Sequence, residues 1–139
     1  MTLHASEIKV GLGHRAVVVE NLTRTQIVQY AGASGDYNPL HTDEVFATQV
    51  AGYPSVFAHG MLTMGMTGKM LTDYLGDGRL TQFGGRFTSQ VWPGDTLSAT
   101  ATVTAIRKDN GVSAADFDVV TQNQNGVTVF QGTASARLD

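Results

Sequence analysis

The sequence predicts an α+β domain in which an antiparallel sheet wraps around one apolar helix. Residues 59–75 have a helical pattern that is apolar on most sides, and residues 79–138 contain long alternating stretches separated by turn signals. A helix that is apolar nearly all round is buried rather than lying on a surface. Because strands follow this helix along the chain, we expect the sheet to cover it.

The size and composition indicate one domain over residues 1–139. The chain has 139 residues, of which 42% are hydrophobic, and this is enough to bury a core. Only 15% of the residues are charged and the net charge is −3, which argues against a nucleic-acid or membrane-surface binder that works through a basic patch. The absence of Cys excludes disulfides, thiol nucleophiles and thiolate metal sites. No apolar run approaches the roughly 18 to 20 residues of a membrane span, and we expect a cytoplasmic protein.

The first third of the chain predicts one strand and one helix. The β-branched run Arg15–Glu20 is typical of a strand. Thr23 is a suitable N-cap for a helix over Arg24–Ala33, because apolar residues recur there at helical spacing. The dipeptide Asn38-Pro39 prevents further helix, since the residue before proline is pushed out of the α region. A short helical or turn segment is expected over Asp43–Thr48.

The central helix is predicted over His59–Leu75. Its four methionines are best explained as core-filling residues. Gly65 and Gly68 each lower helix propensity by roughly 1 kcal/mol relative to Ala, so we expect close backbone packing to compensate. Four strands should follow, bounded by strong turn signals at Pro93-Gly94-Asp95, Asp109-Asn110-Gly111 and Asn125-Gly126. Their predicted ranges are 79–92, 96–107, 112–123 and 127–138.

A carboxylate and an imidazole lie five residues apart at Asp36 and His41, across the turn at Asn38-Pro39. A continuous helix would rotate them roughly 500° apart, but the break allows both side chains to converge. Such a pair can hold one water molecule and move its proton, since His titrates nearest neutral pH. On the residues alone, a structural network that stops the helix is an equally open explanation.

A second candidate group opens the central helix at His59-Gly60. Free N–H groups at a helix start attract negative charge, and a glycine lets a ligand approach them closely. The Gly60 N–H could therefore hold a carbonyl oxygen that becomes an oxyanion. His59 could be functional or simply a hydrogen-bonding residue of the helix start, and Gly60 could serve only close packing.

Through the stretch from Ser34 to His41 and the block Ala58-His59-Gly60-Met61-Leu62, the chain resembles the MaoC-like, (R)-specific enoyl hydratases of the hydratase 2 type. It is most similar to their short members with a single domain, in particular the catalytic B-type subunits of β-hydroxyacyl-carrier-protein dehydratases. The resemblance extends over essentially the whole chain. The matching residues are Ser34, Gly35, Asp36, Asn38, Pro39, Leu40, His41 and Ala47, then Ala58-His59-Gly60-Met61-Leu62, Arg86-Phe87 and Pro93-Gly94-Asp95.

This resemblance implies a hot-dog fold and a hydro-lyase that interconverts trans-2-enoyl and (R)-3-hydroxyacyl thioesters. Asp36 and His41 would handle the water, and the Gly60 N–H would polarise the thioester carbonyl. Ser34, Asn38 and His59 would support the site. Which of Asp36 and His41 is the base stays open, because coupled groups around one water share protons.

The resemblance also implies the substrate carrier and the assembly. The acyl group would be carried on coenzyme A or on the phosphopantetheine of an acyl carrier protein, with no metal and no other cofactor. The chain would form a homodimer, or a heterodimer with a related hot-dog subunit. Continuation of the sheet into a second subunit would also explain the low content of charged residues.

Two alternative functions are weighed against hydration. Hot-dog thioesterases hydrolyse the acyl thioester and commonly use a carboxylate on the central helix, but the only acid there is Asp73, near the far end. A non-catalytic subunit that binds the acyl chain for a partner is the second alternative. The presence of both Asp36 and His41 argues against it, because such subunits are expected to lack the pair.

Overall fold

One antiparallel sheet wraps around the longer of two helices, which confirms the predicted fold class. The computed structural model describes residues 3–138. Over these residues the sheet has five strands in the order β1-β3-β4-β5-β2. No helix in the described part of the chain is long and apolar enough to cross a membrane. Besides short helical segments at Ala5–Glu7 and Phe46–Val50, the elements are β1 (Gly13–Val19), α1 (Arg24–Ser34), α2 (Gly60–Leu75), β2 (Leu80–Phe87), β3 (Leu97–Asp109), β4 (Val112–Gln122) and β5 (Thr128–Arg137).

The core lies between α2 and the concave face of the sheet. Alternate residues of β3, from Leu97 to Val103, are at most 1% exposed, as the period-two pattern predicts. Large side chains from the helix and from β4 and β5, such as Leu71, Phe117 and Phe130, fill the remaining space. Small residues on the inner face let the helix backbone come close to the strands, and they include Ala99, Ala101, Ala115, Ala134 and Ala136.

The predicted limits of α1 are confirmed to within one residue. Thr23 caps the helix, since its side chain accepts a hydrogen bond from Gln26 N and the Gln26 side chain accepts one from Thr23 N. Gly35 ends the helix in the left-handed region, at φ 76°. This sharp stop directs the following loop toward the start of α2.

Helix α2 is exposed along one stripe, whereas its sequence predicts burial on most sides. Met61, Gly65, Lys69 and Asp73 are exposed, because the sheet covers the helix only on its other faces. The expected close packing is confirmed at Gly68, where an added Cβ would lie 3.3 Å from the Phe83 ring. It is wrong at Gly65, where an added Cβ would meet nothing within 4 Å.

Strand β2 is shorter than predicted and ends at Phe87 rather than at residue 92. Thr88 N still donates to Val129 O at 2.9 Å, but the chain then leaves the sheet. Val91 is buried, and its carbonyl accepts a hydrogen bond from Ala58 N at 2.8 Å. Residues 88–91 therefore run beside the start of α2 and form one wall of a pocket there.

Candidate active site

The loop after α1 is held by three local hydrogen bonds, each between a side chain and the backbone N–H two residues later. Asp36 N donates to Ser34 Oγ at 3.2 Å, Asn38 N donates to Asp36 Oδ1 at 3.2 Å, and Leu40 N donates to Asn38 Oδ1 at 3.0 Å. The structural network weighed for Asp36 thus exists, but it uses only Oδ1. The second carboxylate oxygen, Oδ2, faces His41.

The protonation of His41 is fixed by the backbone. His41 Nδ1 lies 2.6 Å from the Phe57 carbonyl oxygen, which can only accept a hydrogen bond, so Nδ1 carries the proton. In the neutral ring the lone pair is therefore on Nε2, which lies 4.0 Å from Asp36 Oδ2. A water molecule between these two atoms could donate one hydrogen to each of them.

The two groups differ in exposure. The side chain of His41 is only 11% exposed and that of Asp36 is 54% exposed. Burial lowers the pKa of His41, and the charge of nearby His59 lowers it further. The hydrogen bond to the Phe57 carbonyl and the Asp36 charge raise this pKa, but they do not offset the burial. The net effect favours the neutral form of His41, in which the Nε2 lone pair is available.

His59 connects the loop to the start of α2. It is 2% exposed, and its Nε2 donates to the Asp36 carbonyl oxygen at 3.0 Å. Its ring stacks on that of His41, with centroids 3.7 Å apart and an angle of 24° between the planes. The residue is the N-cap of α2, but its side chain makes no capping hydrogen bond. His59 thus contacts both members of the pair rather than the helix start.

Asp36, His41 and His59 also form a candidate metal cluster, because one ligand atom from each lies within 4.8 Å of the others. The two imidazoles are stacked, however, and a nitrogen lone pair lies in the plane of its own ring. Stacked rings with centroids 3.7 Å apart and planes inclined by 24° do not direct their lone pairs to one point, as tetrahedral zinc sites require. The geometry suits a water molecule between His41 Nε2 and Asp36 Oδ2 better than a metal ion, and the absence of a metal stays a prediction.

Two pockets meet at the start of α2. The first, here called the dyad pocket, has a volume of about 430 Å³ and is lined by Asp36, His41, His59, Gly60 and Phe87 among others. The second, here called the side pocket, has a volume of about 300 Å³ and lies between α2 and residues 88–91. Gly60 and Phe87 line both pockets. The Gly60 N–H belongs to the first turn of the helix and has no acceptor within it.

Sequence reasoning missed three groups of this site. The Phe57 carbonyl sets the tautomer of His41, but a backbone oxygen has no sequence signature. Phe87 lines both pockets, and the sequence indicates it only as part of a matching dipeptide. Thr63 lines the side pocket, and Thr63 and Thr67, four residues apart in an otherwise apolar helix, were a signal that could have been used.

The tautomer and burial of His41 predict its titration. Its midpoint, followed by NMR of the ring protons, is expected below 6.5, the ordinary pKa of imidazole. The Asp36→Asn variant should titrate at a still lower pH, because the carboxylate charge that favours the imidazolium is removed. A midpoint above 6.5 in the wild type, or an upward shift in the variant, would contradict this electrostatic description.

Comparison with known proteins gives consistent matches. The family described as "MaoC like domain" matches residues 8–125. The chain is 50% identical over 68 residues to 3-hydroxyacyl-thioester dehydratase Y of Mycobacterium tuberculosis, which covers 47% of this chain and 23% of that protein. It is 28% identical over 130 residues to the (R)-specific enoyl-CoA hydratase of Aeromonas caviae, covering 91% of this chain and 94% of that protein.

The solved structure of an (R)-hydratase from A. caviae superimposes on this chain with a TM-score of 0.84 and 28% identity. The match covers 97% of this chain and 100% of the other. The hot-dog fold is thereby confirmed. The chain spans only 23% to 34% of the length of the first three curated relatives that it matches, so these are similar to it in one region only.

Proposed function

Because this chain belongs to the MaoC-like domain family, we propose that it is a hydro-lyase that interconverts trans-2-enoyl and (R)-3-hydroxyacyl thioesters. The observation that carries the proposal is the pair formed by His41 Nε2 and Asp36 Oδ2, 4.0 Å apart at the wall of a pocket. The names of two relatives, an (R)-specific enoyl-CoA hydratase and a 3-hydroxyacyl-thioester dehydratase, support the substrate class.

In hydration, His41 acts as the base. Its Nε2 lone pair accepts one proton of the water while the water oxygen bonds to C3 of the enoyl group. Asp36 Oδ2 accepts a hydrogen bond from the other hydrogen and orients the molecule. The imidazolium then returns its proton to C2, so that the water is added as H at C2 and OH at C3. Dehydration follows the same steps in reverse.

The electrons displaced from the C2–C3 double bond move to the thioester carbonyl oxygen. The N–H of Gly60 donates a hydrogen bond to this oxygen, and the interaction strengthens as the negative charge develops. Gly60 lines the dyad pocket together with Asp36 and His41, which allows one substrate to contact all three residues. Ser34 and Asn38 support the loop through their hydrogen bonds, and Ser34 also lines the dyad pocket.

These steps need no metal or redox cofactor, since the thioester itself accepts the electrons. We therefore propose that the enzyme works without either, on an acyl group carried by coenzyme A or by an acyl carrier protein. Full turnover after exhaustive treatment with a chelator is the expected result. Loss of turnover that added metal restores would contradict this part of the proposal.

We propose in addition that the chain assembles through the free edge of β2, with a second copy or with a related hot-dog subunit. Strand β2 is at one edge of the sheet, so its outer backbone groups have no partner strand among the described residues. This edge leads directly to Phe87, which lines both pockets. Analytical ultracentrifugation at micromolar concentration should show a dimer. A monomer would exclude assembly with a second copy and leave only assembly with a related hot-dog subunit.

A coupled assay tests the reaction itself. The enoyl absorbance of crotonyl-CoA should disappear without the release of free thiol, and the product should be the (R)-3-hydroxyacyl thioester. Thiol release would instead indicate a thioesterase. That alternative has little support from α2, where Asp73 is exposed, pairs with Lys69 at 2.7 Å and lines neither pocket.

Gly60→Ala is expected to lower turnover while leaving the fold intact. An added Cβ would lie 2.8 Å from two carbons of the Phe87 ring, so this half-exposed ring has to move within the two pockets. Gly65→Ala is the matched control, because the new Cβ meets nothing within 4 Å and should raise stability by about 0.5–1 kcal/mol. Equal turnover in the two variants would contradict the placement of the substrate at Gly60.

A further inference from the structure

The hydroxyl group of Thr63 is buried without a hydrogen-bond partner. The residue is 1% exposed, and Thr63 Oγ1 has no donor or acceptor within reach among the described residues. A buried hydroxyl that makes no hydrogen bond costs stability, and native proteins contain few of them. Such a group at the wall of a pocket indicates a ligand atom that completes its hydrogen bonding.

Of the buried threonines in the described part of the chain, Thr63 alone lacks a side-chain hydrogen bond; the other buried side-chain atom without a partner is His59 Nδ1. Thr67 Oγ1 donates to the Thr63 carbonyl oxygen at 2.9 Å, the usual bond of a helical threonine to the residue four positions earlier. Thr67 Oγ1 also lies 2.7 Å from Thr121 Oγ1, so both of these hydroxyls are paired. For Thr63, the corresponding acceptor is the His59 carbonyl, which accepts instead from the amides of Leu62 and Thr63.

The position of Thr63 on the helix directs it toward Gly60. Residues three apart lie on the same face of a helix, and helical side chains lean toward the N-terminus. Thr63 therefore lies one turn after Gly60, with its side chain inclined toward the first turn. Both residues line the side pocket, and Gly60 also lines the dyad pocket that contains Asp36 and His41.

We propose that the Thr63 hydroxyl is a second donor to the carbonyl oxygen of the thioester, beside the Gly60 N–H; this inference rests on the proposed function. As water adds at C3, the electrons of the double bond move to the carbonyl oxygen. Thr63 donates a hydrogen bond to the resulting enolate oxygen and keeps its proton. The interaction weakens again when C2 takes the proton from His41, so Thr63 stabilises the charge only while it exists.

Thr63→Val tests this role because the substitution keeps the shape and removes only the hydroxyl. The kcat for crotonyl-CoA hydration should fall by about a hundredfold, the usual scale for the loss of one oxyanion donor, with KM little changed. The melting temperature should stay the same or rise, because an unpaired buried hydroxyl is replaced by an apolar group. Thr63→Ser should retain most of the wild-type kcat.

Thr67→Val is the matched control on the next turn of the same helix. Its hydroxyl is paired, so its removal should lower the melting temperature, while kcat should remain near that of the wild type. If Thr63 had no role in catalysis, Thr63→Val would likewise leave kcat near that of the wild type.

Three results would overturn the inference while the wild type remains an active hydratase. They are an unchanged kcat in Thr63→Val, a loss confined to KM, or a loss of activity that parallels a loss of stability. A wild type without hydratase activity would overturn the proposed function first, and this inference with it.

Discussion

The Asp36→Asn and His41→Gln variants are each expected to lose hydratase turnover by at least a few hundredfold, the scale of general acid–base catalysis. Glutamine at position 41 has no lone pair of comparable basicity to accept the proton of the water. Asparagine at position 36 keeps one oxygen for the turn to Asn38 N but loses the negative charge that faces Nε2. The double variant should be little worse than either single one, because the two groups act on the same water.

Tyr37→Phe is a suitable control for these variants. Tyr37 lies in the same loop, next to Asp36, but it is 70% exposed and lines neither pocket. Removal of its hydroxyl group should leave both turnover and melting temperature close to those of the wild type. If Asp36→Asn and His41→Gln both keep full turnover, the assigned site is wrong. If the wild type is itself inactive and binds acyl thioesters only beside a partner, it is the non-catalytic subunit.

Gly132→Ala should destabilise the fold by about 3 kcal/mol or more, at the upper end of overpacking effects. Gly132 pairs with Gly85 in the ladder between β5 and β2, where the two backbones approach closely. A Cβ at Gly132 would overlap the Gly84 carbonyl, which cannot move without breaking the ladder. Gly85→Ala should behave similarly, since its Cβ would lie 2.5 Å from the Gln131 carbonyl oxygen.

Gly84→Ala is the control for this prediction, because Gly84 lies next to Gly85 in β2 and in the same ladder as Gly132 of β5. An added Cβ there would lie 3.5 Å from the Gln82 side-chain nitrogen, an ordinary van der Waals contact. Denaturant unfolding should therefore separate Gly132→Ala and Gly85→Ala from Gly84→Ala and the wild type. Equal midpoints for all four proteins would show that β2 and β5 are further apart than described here.

The sequence predicted the elements that have local signals. Thr23 and Gly35 mark the two ends of α1, and the glycine and asparagine turns separate the strands, because caps and turns depend on a few neighbouring residues. The end of β2 at Phe87 was not predicted. Residues 88–91 have strand-like composition, but they leave the sheet to contact the start of α2, and this contact is not encoded locally.

Like the fold, the site could be predicted only where neighbouring residues in the sequence determine it. Asp36 and His41 were identified because a helix stop and a proline place them in one loop. Their roles stayed open, because the tautomer of His41 depends on the Phe57 carbonyl, sixteen residues away. The sequence also does not indicate which of Gly65 and Gly68 packs closely against the sheet. Only the position of Phe83 on β2, next to Gly68, distinguishes the two glycines.

The stacking of His41 on His59 affects how firmly His41 holds a proton. Two imidazolium rings with centroids 3.7 Å apart would repel each other strongly, and His59 already disfavours the charged form of His41. In the proposed hydration, His41 becomes charged when it takes the proton of the water. The same repulsion that lowers the pKa of His41 then makes the imidazolium a better proton donor to C2. The stacked ring therefore assists the second proton transfer rather than the first.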